Sequence, residues 1–438
     1  MKSARIIISI MLVLSILVTT INVVPIQIAE AASQYITAEA FAEKLAVELN
    51  LAPVSGSTSS GYVNALMENG IIKSEDVAEY NSYLTRGDAL VFLNRADEYL
   101  YGDNLSEKLV QLTIDKRISD INNIKAEKRT DVAKAYLKGY MKGYSNGDWS
   151  TDRNMKVTSK ITKDGALSIL KMIHNPSLRA KISPDGQLIR TTNLPYSYEK
   201  FPYILASYPN EYYDWKLYYE LSNGYTRNGV HYDYVNLVDY STPADVDKIT
   251  PSEDRTQYDI ADIKEMYLDS WVDKVQTYME LVFSADYRTI DNDWVEAVLK
   301  TDYSYGQHNE SQARDKLTQY VKGMKANKTI VEYARVNVDR SSLYYYRDAF
   351  YLRTYVKYRI VSSNVGKVDT DTLIMEKPYN NILFTRNPLV NLTDFKLGEW
   401  RECGFDVCIA GYSSYVSDMG IGDAFLDEFF SKQYPITK

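Results

Sequence analysis

Two stretches of this chain repeat one order of features: a helical segment, a glycine pivot, a polar loop, and a helix that opens on threonine. The first runs from about Ile36 to Leu100 and the second from about Arg117 to Ile173. Their helix starts read Leu84-Thr85-Arg86-Gly87-Asp88-Ala89-Leu90 and Ile161-Thr162-Lys163-Asp164-Gly165-Ala166-Leu167. Thr85 is placed to cap its helix, with Asp88 three residues on, the spacing of a capping box with Asp in place of Glu. Thr37 is a further N-cap, before a segment in which Phe41, Leu45 and Leu49 recur every four residues. In the second unit Val132, Ala135 and Tyr136 mark a helix ending near Gly139, and Thr162 caps one carrying Ala166, Leu167, Leu170 and Ile173 before Pro176 stops it. The duplication predicts a helical N-terminal region, and a small repeated module is more often a docking device than a catalyst.

Lys2 and Arg5 precede an almost wholly apolar run from Ile6 to Val18, and Ala29-Glu30-Ala31 is a small-x-small cleavage site. Residues 1–32 are therefore expected to be an export signal. The run is shorter than the roughly 20 residues a spanning helix needs, and Asn22, Pro25 and Gln27 interrupt its extension. The alternative is an uncleaved anchor. No other long apolar run occurs, so the expectation is a secreted chain without membrane association after cleavage. Losing Lys2, Arg5 and Glu30 takes the formal net charge from −8 to −9. An acidic chain is a poor match for broad nucleic-acid binding, which draws on Lys and Arg. A hydrophobic fraction of 45% with 25% charged residues argues against wholesale disorder.

Cys403 and Cys408 are the only cysteines, so no disulfide framework holds the fold. On one continuous strand they would face opposite ways. They are either two buried thiols or, through a tight turn over Gly404–Val407, a hairpin disulfide. The three histidines (His174, His231, His308) lie far from them, and neither a metal site nor a cofactor is expected.

Residues 33–103 and 104–177 hold the two units. Residues 178–246 are dense in Tyr, Pro and Asn and read as extended chain, with room for a worn third copy. The polar stretch Ser241–Arg255 carries two prolines and marks a boundary, leaving 247–438 as a C-terminal domain. There Ile260, Ile263, Tyr267, Trp271, Val275, Tyr278 and Val282 sit three or four apart, a long amphipathic helix of about six turns. Shorter helices follow near Asp293–Leu299 and Ser311–Met324. After Asn327 the period switches to two, most clearly over Phe350–Ile360, with further strands at Ile330–Val338, Thr372–Met375, Phe384 and Trp400–Ala410. Helices followed by a meandering sheet imply an α+β fold, with the long helix packed on an antiparallel sheet, so the whole chain is expected to be a multidomain α+β protein.

The two threonine-led helix starts, the Ser119-Asp120 pair, the pivot from Gly139 to Gly143-Tyr144, the Asn146-Gly147-Asp148 loop and Arg153 come in an order that resembles S-layer homology domains, over roughly residues 36–175. The resemblance implies a bundle of three helical repeats that grips an anionic secondary cell wall polymer, or a peptidoglycan-associated glycan, with the signature arginine meeting the acidic sugar. Arg86 stands at that position in the first copy, with Asp88 in the acidic place. Lys163 stands there in the second, where Gly165 replaces the acid. A guanidinium fork can bind a carboxylate through two hydrogen bonds, and an ammonium keeps only the charge. A cation at a helix start also adds to the pull of free backbone N–H groups. The bland alternative is a solvated charge beside a cap. Asp120 either orients its turn or touches ligand; Trp149 and Tyr144 either stack on a sugar or cover a core edge.

In the C-terminal domain Tyr351, Arg353, Tyr355, Lys357 and Arg359 share one strand face. They form either a second binding face, for an anionic glycan or a partner protein, or a sheet face whose cations pair across strands with acidic neighbours. Tyrosine is so abundant here (39, against 11 Phe) that its presence on the face says little. No Gly-x-Ser-x-Gly elbow, P-loop or His-Glu-x-x-His occurs, and no catalytic residue is singled out. Asp286, after the long helix, reads as a cap or ion-pair partner. The sequence points to a non-catalytic protein of the cell wall or cell surface of a Gram-positive-type bacterium, docked by its repeats and carrying a C-terminal binding or spacing module. The alternative is a secreted wall-active hydrolase that the repeats only position.

Overall fold

The computed structural model describes residues 34–54, 59–214, 225–227, 230–232, 260–302, 305–346, 349–364, 397–410, 420–421 and 433–435. The expected export signal, the expected boundary at 241–255 and the expected strands at Thr372–Met375 and Phe384 lie outside them. The chain forms two compact units, one of residues up to Ile189 with Leu205–Ser207, the other of Arg190–Ile204 with the chain from Tyr208 onward. The described part of 178–246 is divided between them. The whole is α+β: helices dominate the first unit, and helices on an antiparallel sheet make the second.

The first unit contains α1 (Ala38–Glu48), α2 (Ser59–Glu68), α3 (Arg86–Tyr101), α4 (Glu107–Lys116), α5 (Ala126–Leu137) and α6 (Lys163–Leu170), with a small ladder of β1 (Tyr144–Ser145) on β2 (Arg153–Asn154). Three of these helices begin alike. The Oγ1 of Thr37, Thr85 and Thr162 accepts the N–H of Ala40, Asp88 and Gly165. The residues before the caps close a ring: Leu84 N–H donates to Ile36 O, Ile161 N–H to Leu84 O and Ile36 N–H to Ile161 O, at 3.0, 3.0 and 3.3 Å. Just inside the helices, Ala38, Arg86 and Lys163 donate their N–H to Ser82, Ser159 and Gln34 O. The bridges Thr37↔Tyr83, Thr85↔Lys160 and Tyr35↔Thr162 complete a three-fold hub. Each ring residue (Ile36, Leu84, Ile161) is buried and pins its helix into one core with Phe41, Leu45, Leu90, Phe92, Val132, Tyr136 and Leu170.

The second unit carries α7 (Asn210–Asp214), α8 (Ile260–Phe283), α9 (Asn292–Leu299) and α10 (Glu310–Asn327). Its sheet uses β3 (Ile330–Val338), β4 (Tyr344–Tyr346), β5 (Ala349–Ser362), β6 (Arg401–Ala410) and β7 (Gln433–Pro435), ordered β7-β6-β5-β3 with β4 also on β5. All pairings are antiparallel. Phe350, Leu352, Val356, Tyr358 and Ile360 of β5 pack against Trp271, Val275, Met279 and Phe283 of α8, the period-two face meeting the helical stripe. β6 pairs with β5 without interruption from Arg401 to Ala410, so of the two alternatives for the cysteines the hairpin disulfide is excluded. Five residues of strand separate Cys403 and Cys408 by about 16 Å, and a disulfide spans less than about 7 Å between Cα atoms. Cys408 is half-buried and in no disulfide among the described residues. Among the described residues no helix is long and apolar enough to cross a membrane.

Candidate functional site

The residues around Arg86 are held by a loop that folds back over the start of α3. Asp120 is buried, and its two carboxylate oxygens accept the N–H of Met155 and Val157, each at 2.8 Å. The loop so braced turns its carbonyls to the helix: Val157 O accepts the Gly87 N–H at 2.8 Å, and Met155 O accepts Arg86 Nε at 2.7 Å. Gly87 fits because a Cβ there would lie 2.9 Å from Val157 O. Gly143, at φ +63°, lets the pivot press against Met155 Sδ and Arg153 and brings Tyr144 beside Arg86.

This geometry changes the expected chemistry of the helix start. The N–H groups of Arg86, Gly87 and Asp88 are consumed by Ser159 O, Val157 O and Thr85 Oγ1, so they are closed to an anion. The charge must come from side chains. Arg86 is half-buried, and its guanidinium carbon sits 5.3 Å from the centroid of the Tyr144 ring, which is 47% exposed. Lys156 brings its ammonium to 4.0 Å from the same centroid. Such stacking contributes about 0.5–1 kcal/mol when exposed and about 2 when water is excluded.

The first unit pairs most of its inner cations. Arg95 meets Asp76 and Asp131, Lys134 meets Glu98 and Asp103, Lys138 and Arg179 meet Asp97, and Arg117 meets Asp185. Arg86 and Arg153 differ. Among the described residues neither guanidinium has a carboxylate within ion-pair distance. Arg86 donates to Met155 O, and Arg153 to Lys142 O and Gly143 O. Burial pushes the pKa of each below the usual arginine value, and the field of Tyr144 and Asp120 partly offsets this at Arg86. A guanidinium stays protonated regardless. Each is therefore a partly desolvated positive charge that, among the described residues, makes no direct ion pair.

The expected ligand residues separate on this geometry. Arg86 lies in the site. Asp88 is spent: one oxygen accepts the Thr85 hydroxyl at 2.6 Å and the other pairs with Lys128 at 2.6 Å. Asp120 positions the loop. Lys163 is exposed, and among the described residues its ammonium has no ion-pair partner. Trp149 is corrected: it is 5% exposed, its backbone at φ +65° turns the ring into the unit, and its N–H donates to Ser207 O at 2.7 Å. The aromatic that stays open is Tyr144.

The second binding face is corrected as well. Tyr351, Arg353 and Tyr355 are buried, and Arg353 is 0% exposed. α7 covers them. Arg353 Nη1 donates to Tyr212 O at 3.2 Å, while Nε and Nη2 grip Asp406 at 2.8 and 3.2 Å. Cross-strand register supplies the partners: Arg353 faces Asp406, Lys357 faces Glu402 and Arg359 faces Glu332, and each forms an ion pair. Lys357 and Arg359 remain half-exposed. Hydrogen bonds from the Arg288 side chain lower the pKa of Asp286 below the usual carboxylate value. No group of His, Cys, Asp and Glu among the described residues could hold a metal ion.

No protein-family model, curated protein or solved structure matches this chain.

Proposed function

We propose that the first unit is a non-catalytic docking module that holds an acidic glycan of the Gram-positive cell wall, through Arg86, on an exported protein whose second unit is a binding or spacing module. The observation that carries this reading is the half-buried Arg86 guanidinium without a carboxylate partner among the described residues, standing over an exposed Tyr144 with Lys156 beside it. A desolvated cation gains most from an anionic ligand that can take both of its free NH2 groups. Tyr144 offers the apolar ring that a sugar face can cover.

Two further features support it. The order of motifs resembles S-layer homology domains, and the three threonine-capped helices meet in a ring, as a bundle of three repeats would. In this reading α1 is the third helix, supplied by the N-terminal end of the chain rather than by 178–246. The wall location rests on the signal at 1–32 and on the resemblance.

Co-sedimentation of the chain lacking residues 1–32 with purified Gram-positive sacculi tests the proposal. The protein should pellet at low salt and be released progressively as ionic strength rises, because part of the grip is a screened charge pair. A protein that stays in the supernatant at low and moderate salt rules out wall docking. A clear zone on a sacculus zymogram would replace the non-catalytic reading with a hydrolase.

A further inference from the structure

The hub carries a second cluster of cation and aromatic rings. Tyr35, Tyr83 and Lys160 occupy the same place in the three helix starts, two residues before Thr37, Thr85 and Thr162, and the three bridges of the hub set them side by side. The rings of Tyr35 and Tyr83 meet edge-on at 5.8 Å. The Lys160 ammonium lies 4.6 Å from the Tyr83 centroid and 5.8 Å from that of Tyr35. Lys160 is exposed, and among the described residues it has no carboxylate partner.

This cluster and the Arg86–Tyr144–Lys156 site flank one loop. Lys156 adopts φ +52°, and Ser159 N–H closes onto Lys156 O at 2.9 Å, so the loop turns back between Lys156 and Lys160. Ser159 O in turn accepts the Arg86 N–H, which ties the turn to α3. From Arg153 to Lys163 the chain carries Arg153, Lys156, Lys160 and Lys163 and no acidic residue. Cations three or four residues apart across a tight turn, with Lys156 and Lys160 each against tyrosine rings, suit an extended anion better than a single one.

We propose that Lys160, with Tyr35 and Tyr83, is a second subsite of the docking module, and that its ligand is a glycan chain bearing at least two acidic groups. The inference rests on the docking function proposed above. Arg86 and Tyr144 hold one acidic sugar, and Lys160 holds the acid of a neighbouring sugar on the same chain. The two subsites act through one flexible ligand, so the second contact raises affinity through effective concentration.

The test uses acidic polymer released from Gram-positive sacculi, size-fractionated into single-repeat and multi-repeat fragments, titrated calorimetrically into the chain lacking residues 1–32. Wild type should bind multi-repeat fragments about tenfold more tightly than single repeats. Lys160→Ala should lose that advantage and keep single-repeat affinity, and Lys160→Arg should restore it. Lys160→Ala binding multi-repeat fragments as wild type does, or wild type binding both sizes equally, overturns the second subsite and leaves the Arg86 site standing. Wild type binding neither fragment overturns the docking function itself, and the second subsite with it.

Discussion

Arg86, at a helix start, and Arg353, on a tyrosine-rich strand face, are both candidate binding arginines in the sequence, and the fold treats them in opposite ways. Arg353 points at Asp406 across the β5–β6 ladder and is sealed under Tyr212. Arg86 leans on a backbone carbonyl and an exposed ring. A buried cation gripped by both oxygens of one carboxylate, with a carbonyl on its remaining nitrogen, is finished. A half-buried cation with a carbonyl on one nitrogen still has donors and charge to give. The counter-ion, rather than the cation–aromatic pairing, separates a structural arginine from a binding one.

The sharpest break of this comparison is Asp406→Ala. It leaves Arg353 charged and fully buried, and removing one partner of such a pair costs about 3–5 kcal/mol. The second unit should lose that much stability by urea unfolding, whereas Arg86→Ala should cost only about 1–2 kcal/mol, for its hydrogen bond to Met155 O and its contact with the Tyr144 ring, since it leaves no buried charge behind. Comparable losses from the two variants would erase the distinction.

Arg86→Ala should show its effect in sacculus binding instead. Hydrogen bonds to a charged partner contribute about 1.5–3 kcal/mol, so affinity should fall about 10- to 100-fold. Arg86→Lys keeps the charge and loses the planar fork, and should recover only part of that loss. Full recovery by lysine would mean that charge alone is read.

The second unit was the more legible half. Its long helix and three main strands follow from apolar spacing alone, because a sheet covered by helices writes period two and period 3.6 directly into the chain. Even the closed state of its cationic face was one of two readings, since β5 alternates while its acidic partners lie on β3 and β6, remote in sequence. The first unit hid more. α4 was missed because it buries little more than Val110 and Thr113, although Ser106-Glu107 is a readable cap and first turn. Thr37 was seen as a cap but not as the equal of Thr85 and Thr162, because Ala38 follows it where Arg86 and Lys163 follow the others. Lys156 was invisible. Its place over Tyr144 depends on a left-handed turn that lysine does not advertise.

The hub offers a test of that overlooked equivalence. Thr37→Ala, Thr85→Ala and Thr162→Ala each remove a side chain that accepts a first-turn N–H, and each should cost about 1 kcal/mol. Thr85→Ala should cost most, because it also removes the hydroxyl that Asp88 accepts. A negligible cost at Thr37 would make α1 an accessory to a two-helix core rather than a third member of the ring.

Lys163→Ala is the smallest expected effect and the most discriminating for the helix starts. Arg86 and Lys163 hold the same place in the ring, and each donates its N–H to the segment that leads into the neighbouring helix of the ring, Arg86 to Ser159 O and Lys163 to Gln34 O. Position alone would make them equal. Lys163, however, is exposed, so its charge is screened by water and its chain entropy opposes fixing it on a ligand. Among the described residues no aromatic ring lies against its ammonium, whereas Arg86 has Tyr144. Sacculus affinity should change by less than about twofold, in line with an exposed pair contributing under about 1 kcal/mol. If Lys163→Ala weakens binding as much as Arg86→Ala, the helix start itself is the recognition element, and the loop from Met155 to Ser159 is no more than its support.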